Sequence, residues 1–182
     1  LLVFLTDNGG AKAMEANNGV LRGFKGSLYE GGIRTPWVVS WPAKFKGGRV
    51  IDTPVISLDI LPTVLELTGL EPHEGIDGIS FAPTLTGHSE QAEHELLYWE
   101  YGNQQAMRAG DWKAVRKKLK EGDKTIELYD LASDPAETTD LSDERPEVLA
   151  RMEALLEESR FPSEVFPIPT LDGLPPESEE AK

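Results

Sequence analysis

Apolar positions change their spacing along the chain, and the change divides it. Leu1-Leu2-Val3-Phe4-Leu5 is a continuous apolar run, the pattern of a strand buried on both faces as in parallel α/β sheets. It passes into Thr6-Asp7-Asn8-Gly9-Gly10 and then into a glycine-rich, charged stretch over residues 11–32. That stretch predicts a long irregular loop, and such loops inside a compact domain are usually functional. Thr35–Pro42 holds a second short apolar strand between prolines. From Asp59 to Leu70 the apolar residues Ile60, Leu61, Val64, Leu65 and Leu67 recur at helical spacing. Ser57 or Asp59 can cap this helix, Pro62 suits its first turn and Gly69 ends it. Residues 71–93 are polar with Gly and Pro, and predict a connection.

After His94 the spacing changes. Leu96–Tyr101, Gln105–Arg108, Trp112–Lys117 and Thr125–Leu131 are short strand-like runs. Turn signals at Gly102-Asn103, Gly110-Asp111 and Gly122-Asp123 separate them, which predicts an antiparallel meander. An amphipathic helix follows, with Val148, Leu149, Met152, Leu155 and Leu156 on one face. Proline and acidic residues dominate from Pro162 on, predicting an extended or disordered tail. The resulting division is 1–93, 94–161 and 162–182, with no internal repeats.

Charge narrows the function classes. The 182 residues carry 32 acids against 18 Lys and Arg, a net charge of -14. That argues against nucleic acid as a partner, and any anionic substrate must find a local positive site. The absence of cysteine removes thiolate metal sites and a Cys nucleophile from this chain. No apolar run is long enough to span a membrane. The sequence opens inside an apolar run rather than at a Met, which predicts a piece of a longer protein and, with it, exposed apolar surface and self-association.

Candidate chemistry lies mostly in the first loop. Asp7-Asn8 follows a strand, where functional sites of α/β sheets lie. A carboxylate beside an amide oxygen offers two hard donors suited to Ca2+ or Mg2+, and the same residues also make an ordinary turn. Arg22, Lys25 and Arg34 lie among glycines that let backbone approach a ligand, so they can face an oxyanion or simply decorate a solvated loop. Phosphate-loop spacing is absent. His73, His88 and His94 have no metal-ligand spacing and are expected at the surface. Trp99, Glu100, Tyr101, Asn103 and Gln104 suit a sugar pocket, while strand aromatics more often pack the sheet.

Taken in order, these pieces resemble the C-terminal half of the type I sulfatases of the alkaline-phosphatase-like superfamily. The resemblance rests on Thr6-Asp7-Asn8-Gly9, Leu21-Arg22-Gly23-Phe24-Lys25-Gly26, Tyr29-Glu30-Gly31-Gly32-Ile33-Arg34-Thr35-Pro36, Trp41-Pro42, Asp59–Val64 and Asp77–Ser80. It continues through Arg108–Lys113, Glu127–Leu131 and Asp134-Pro135-Ala136-Glu137. It implies an α/β fold: the C-terminal part of an alkaline-phosphatase-like sheet domain, then a small α+β subdomain with a four-stranded antiparallel sheet and a packed helix. It implies that Asp7 and Asn8 are Ca2+ ligands and that Lys25 contacts the sulfate. Arg22, Glu30 and Arg34 would support the site. Independently of the resemblance, the cluster of Trp99, Glu100, Asn103 and Gln104 suggests a carbohydrate subsite. In such enzymes a formylglycine made within a C/S-x-P-x-R motif is the nucleophile. This sequence has no such motif; Ser133-Asp134-Pro135-Ala136-Glu137 ends in Glu. The remaining ligands and the nucleophile are therefore expected upstream, and the chain alone is expected to be inactive. A periplasmic or extracellular location follows from family habit. A phosphonate or phosphodiester hydrolase of the same superfamily and a non-enzymatic binding or assembly module are the alternatives.

Overall fold

A computed structural model describes residues 1–71 and 73–174. The elements are β1 (Leu2–Leu5), α1 (Glu30–Ile33), β2 (Trp37–Ser40), α2 (Ile60–Thr68), α3 (Ala82–Thr86), β3 (Leu97–Tyr101), β4 (Gln104–Ala109), β5 (Trp112–Arg116), β6 (Ile126–Asp130), α4 (Pro146–Glu158) and α5 (Pro169–Asp172). They gather into two compact units: residues 1–4 with 37–95, and residues 5–36 with the chain from residue 96 on. The first loop thus groups with the antiparallel sheet, although in sequence it lies within the first part of the division above.

In the first unit β1 and β2 form a two-stranded sheet. The strand expected to be buried on both faces is not. Leu2 and Phe4 are 59% and 56% exposed, and Val38 of β2 is also exposed. A pair of strands has one neighbour each and one covered face, so alternate side chains meet water. Helix α2 ends at Gly69, which takes the left-handed conformation that closes a helix (φ 74°). Asp59 does not cap the first turn of α2. Its buried carboxylate accepts from the Ile56 and Ile79 amides, both at 2.8 Å, and meets His94 Nε2 at 2.9 Å. His94 is therefore no surface residue; its side chain is largely covered by this contact. His73 and His88 are exposed.

In the second unit β3-β4-β5-β6 form an antiparallel meander in chain order. Tyr101 pairs with Gln104 and Ala109 with Trp112, so the first two connections are two-residue turns. The four strands coincide with the four apolar runs of the sequence. Alternation along them makes two faces. Met107, Ala109, Ala114, Ile126 and Leu128 pack against Met152 and Leu156 of α4. Ala106, Val115 and Tyr129 on the other face pack with Leu28, Tyr29 and Leu131, and Trp99 joins them. The sheet is thus covered by a helix on one side and by the first loop on the other.

The chain beyond Pro162 is expected to be extended or disordered. Within its described part, Arg160 bridges the Asp172 carboxylate of α5 and Glu100 of β3 (2.7 Å to Glu100). Ile168 is buried, and Thr170 donates to the Leu119 carbonyl. A buried guanidinium and an apolar anchor order these residues despite their composition. Residues 175–182 lie outside the described part.

Candidate functional site

The loop that leaves β1 is held by hydrogen bonds to the segment carrying Lys25. The Gly9 amide donates to the Gly32 carbonyl at 2.8 Å, and the Lys25 amide donates to the Gly10 carbonyl at 3.0 Å. The Gly10 amide donates to Asn18 Oδ1, whose own amide donates to the Gly23 carbonyl, both at 3.0 Å. Glycine is required at position 9. A Cβ there would lie 1.8 Å from the Gly31 carbonyl oxygen, well inside contact distance. The backbone therefore brings the Asp7-Asn8 turn and Lys25 together.

Asp7 is exposed and Asn8 half-buried. Asn8 Nδ2 donates to Asp7 Oδ1 at 3.0 Å, so the two side chains lie side by side. Their donor set fits a hard cation such as Ca2+, but only as part of a coordination sphere of six or more oxygens. Among the described residues no group of three His, Asp or Glu side chains is placed to hold a metal.

The three cations of the loop play different parts. Arg22 Nη1 donates to Tyr129 Oη and to the Glu137 carbonyl, both at 2.8 Å. Its guanidinium lies 3.9 Å from the Tyr29 ring centroid. Arg34 Nη1 sits 3.9 Å from Glu30 Oε2. Lys25 is exposed. Of the three, Lys25 is the one with no ion pair among the described residues; Arg34 is also exposed.

Two polar clusters bind this loop to the sheet. In the first, Glu127 accepts from Tyr29 and from Tyr129, the latter at 2.7 Å, and pairs with Lys117. Burial alone would push the Glu127 carboxyl up. The hydrogen bonds from Lys117, Tyr29 and Tyr129 outweigh it and hold the carboxyl below its ordinary range. Burial, reinforced by the neighbouring carboxylate, pushes both phenols well above theirs. In the second cluster, the fully buried Lys113 Nζ lies 2.8 Å from both Glu30 Oε1 and Glu137 Oε1. Glu137 Oε2 also accepts from the Glu30 amide at 2.6 Å. Burial pushes the Glu137 carboxyl up, and Lys113 pulls it partly back.

The hairpin residues divide. Gln104 reaches the loop, accepting from the Leu28 amide at 3.2 Å and donating to the Gly26 carbonyl at 2.9 Å. Trp99, partly buried, packs against the core cluster that holds Leu28, Tyr29, Ala106 and Tyr129. Glu100 is engaged by Tyr98 and Arg160. Asn103 accepts from the Leu119 and Lys120 amides. Sequence reasoning singled out Arg22, Glu30 and Arg34 but not Lys113, Glu137, Glu127 or Tyr129. The available signal was period-two alternation, which places Lys113 and Glu127 on the same face as Val115 and Tyr129.

Residues 24–161 match the family model described as N-sulphoglucosamine sulphohydrolase, C-terminal. The chain belongs to the sulfatases. Steryl-sulfatase of Mus musculus is 40% identical over 129 residues, covering 64% of this chain and 20% of that protein. Arylsulfatase A of Bos taurus is 31% identical over 175 residues, covering 81% of this chain and 34% of that protein. The crystal structure of Ps i-CgsB in complex with k-i-k-neocarrahexaose superposes with a TM-score of 0.72 at 29% identity. It covers 86% of this chain and 35% of that one. The chain thus spans about a fifth to a third of the length of these relatives, and the alkaline-phosphatase-like fold expected from sequence is the fold it shares with them. Among the described residues no helix is long and apolar enough to cross a membrane.

Proposed function

We propose that this chain is the C-terminal part of a Ca2+-dependent sulfatase, supplying Asp7 and Asn8 to the metal and Lys25 to the sulfate group. The observation that carries this reading is the backbone stitching that sets the Asp7-Asn8 turn beside Lys25. Two hard oxygen donors and an exposed ammonium on one loop suit the tetrahedral, monoanionic sulfate ester group and its leaving oxygen. When bound, Ca2+ supplies Lewis-acid charge to the sulfate oxygens. Lys25 stabilises negative charge as it builds on the departing alkoxide. The nucleophile, a formylglycine in this proposal, and the remaining carboxylate ligands come from sequence outside this chain. A periplasmic or extracellular location belongs to the same proposal.

Carbohydrate sulfates are the substrate class to examine first, because the neocarrahexaose complex belongs to a protein of the same fold at 29% identity. Gln104 is the hairpin residue that touches the Lys25 loop; Trp99, Glu100 and Asn103, whose side chains are engaged within the sheet unit, are the rest of the proposed sugar-side segment. A Trp99→Ala variant with unchanged turnover of a sugar sulfate would sink that part of the proposal.

The test uses the full-length protein that carries this sequence, assayed on an aryl sulfate and an aryl phosphate diester. Sulfate hydrolysis is expected to dominate. Lys25→Ala should lower kcat by about 10²–10³, the effect of losing one charge-stabilising donor. Asp7→Ala should abolish Ca2+ binding in calorimetry. Preference for the diester would move the protein to the phosphodiester branch. No turnover of either ester would leave a non-enzymatic module.

A further inference from the structure

We propose that Lys113 is a positioning residue: its buried ammonium, clamped between Glu30 and Glu137, fixes α1 and so registers the Asp7-Asn8 turn against Lys25. The roles of that turn and of Lys25 rest on the sulfatase reading; the anchoring rests on geometry alone.

Lys113 projects from β5 on the face that covers the loop, and its side chain has no solvent exposure. One cation with two carboxylates in a dry site is a poor source of stability, because desolvation offsets the attraction. What such a cluster fixes is geometry: Lys113 Nζ donates to Glu30 Oε1 and lies 2.8 Å from Glu137 Oε1, while Glu137 Oε2 takes the Glu30 amide. Glu30 heads α1 and is held twice, by its carboxylate on Lys113 and by its amide on Glu137 Oε2. Glu137 itself takes a left-handed backbone conformation (φ 53°). A non-glycine residue holds that conformation only when its surroundings over-determine it. Here the Asp134 carboxylate accepts from the amides of Thr138 and Thr139 at 2.7 and 2.9 Å and shapes the turn.

From α1 the constraint reaches the candidate site in single steps. The Gly31 amide donates to the Arg22 carbonyl at 2.7 Å, and the Gly32 carbonyl accepts from the Gly9 amide. Gly9 adjoins Asn8 and has no free space on its α1 side. The Gly32 Cα faces the Ser27 and Phe24 carbonyls so closely that a Cβ would lie 2.0 Å from the Ser27 oxygen. Short helix α1 is therefore the common wall of both the metal turn and the Lys25 loop. Without the Lys113 charge, Glu30 and Glu137 would repel each other in a dry site, and α1 would lose its register.

The test compares Lys113→Met with Arg116→Met in the full-length protein. Arg116 is a second buried cation of β5, but it faces α4, where it meets Gln105 and Glu153. Hydrogen exchange is read on peptides covering residues 5–12 and 21–34, Ca2+ affinity by calorimetry, and kcat and KM on an aryl sulfate. Lys113→Met should speed exchange in both peptides. It should weaken Ca2+ binding and lower kcat by about 10–100-fold, as loss of a residue that orients metal ligands does, with KM nearly unchanged. Arg116→Met should lower thermal stability and leave all of these as in the parent. Glu137→Gln, which keeps an acceptor for the Glu30 amide, should retain loop order. If Lys113→Met does not fold, Lys113→Met/Glu137→Gln removes one buried carboxylate with the cation and carries the same readouts. Lys113 variants that lose stability but keep loop protection and Ca2+ affinity overturn the proposal. A parent protein with neither Ca2+ binding nor sulfate turnover overturns the sulfatase reading and the catalytic half of this inference; the exchange contrast still decides the anchoring.

Discussion

At the residue scale the candidate site depends on backbone fit as much as on its charged groups. Gly9 has no room for a side chain, because the Gly31 carbonyl occupies the space. Gly9→Ala must push α1 and the turn apart and break the Gly9–Gly32 hydrogen bond. The expected cost is about 1–3 kcal/mol, typical of overpacking a close contact, measured as a lower urea midpoint. Gly47→Ala is the comparison, since nothing lies within 4 Å of its Cβ position, and it should be close to neutral. Equal effects of the two substitutions would show that the fit around Gly9 is unimportant. The roles proposed for Asp7, Asn8 and Lys25 came from a resemblance carried by short motifs close together in sequence. Lys113 was not legible, because its partner Glu30 is 83 residues away and a strand lysine ordinarily faces water. Only knowledge of what covers that face of the sheet makes its burial evident.

At the scale of elements, the four strands and α4 were legible from alternation and helical spacing, because each buries one face against the other. The elements that escaped notice are short. α1 has four residues, two of them glycine, and α5 lies among prolines, where composition predicts no order. Their stability comes from side-chain anchors distant in sequence. For α5 the anchor is titratable. The Arg160 guanidinium holds the Asp172 carboxyl below its ordinary 3.8, even against partial burial. A carboxyl depressed in the folded state contributes stability that is fully present above its unfolded value and disappears as pH falls through its folded one. Asp172→Asn should therefore melt below the parent at pH 7, and the gap should close as pH drops below about 3.8. A gap that persists unchanged as pH falls well below 3.8 would show that the ion pair does not hold α5.

At the scale of the whole molecule, apolar exposure and net charge oppose each other. Leu2, Phe4 and Val38 of the two-stranded sheet are exposed, as are Leu58, Leu61 and Leu70 around α2. The apolar run at residues 1–5 signalled the strand that forms at Leu2–Leu5, but not that Leu2 and Phe4 stay exposed. In the three relatives above, roughly two thirds to four fifths of the protein lies outside the matched region. A chain of residues 1–182 prepared by itself should therefore associate through this apolar surface. Its net charge of -14 opposes that association by long-range repulsion, which salt screens with a Debye length of about 10 Å at 0.1 M and about 3 Å at 1 M. Light scattering should thus report a mass that rises with concentration and rises further with salt, opposite to an association held by ion pairs. Phe4→Glu combined with Val38→Lys should return the mass toward the monomer at every salt concentration, because it places charges on the exposed apolar face. A mass that stays monomeric in high salt would mean that the exposed strands are too small a patch to hold copies together. A mass that falls with salt would assign the association to charged surfaces instead.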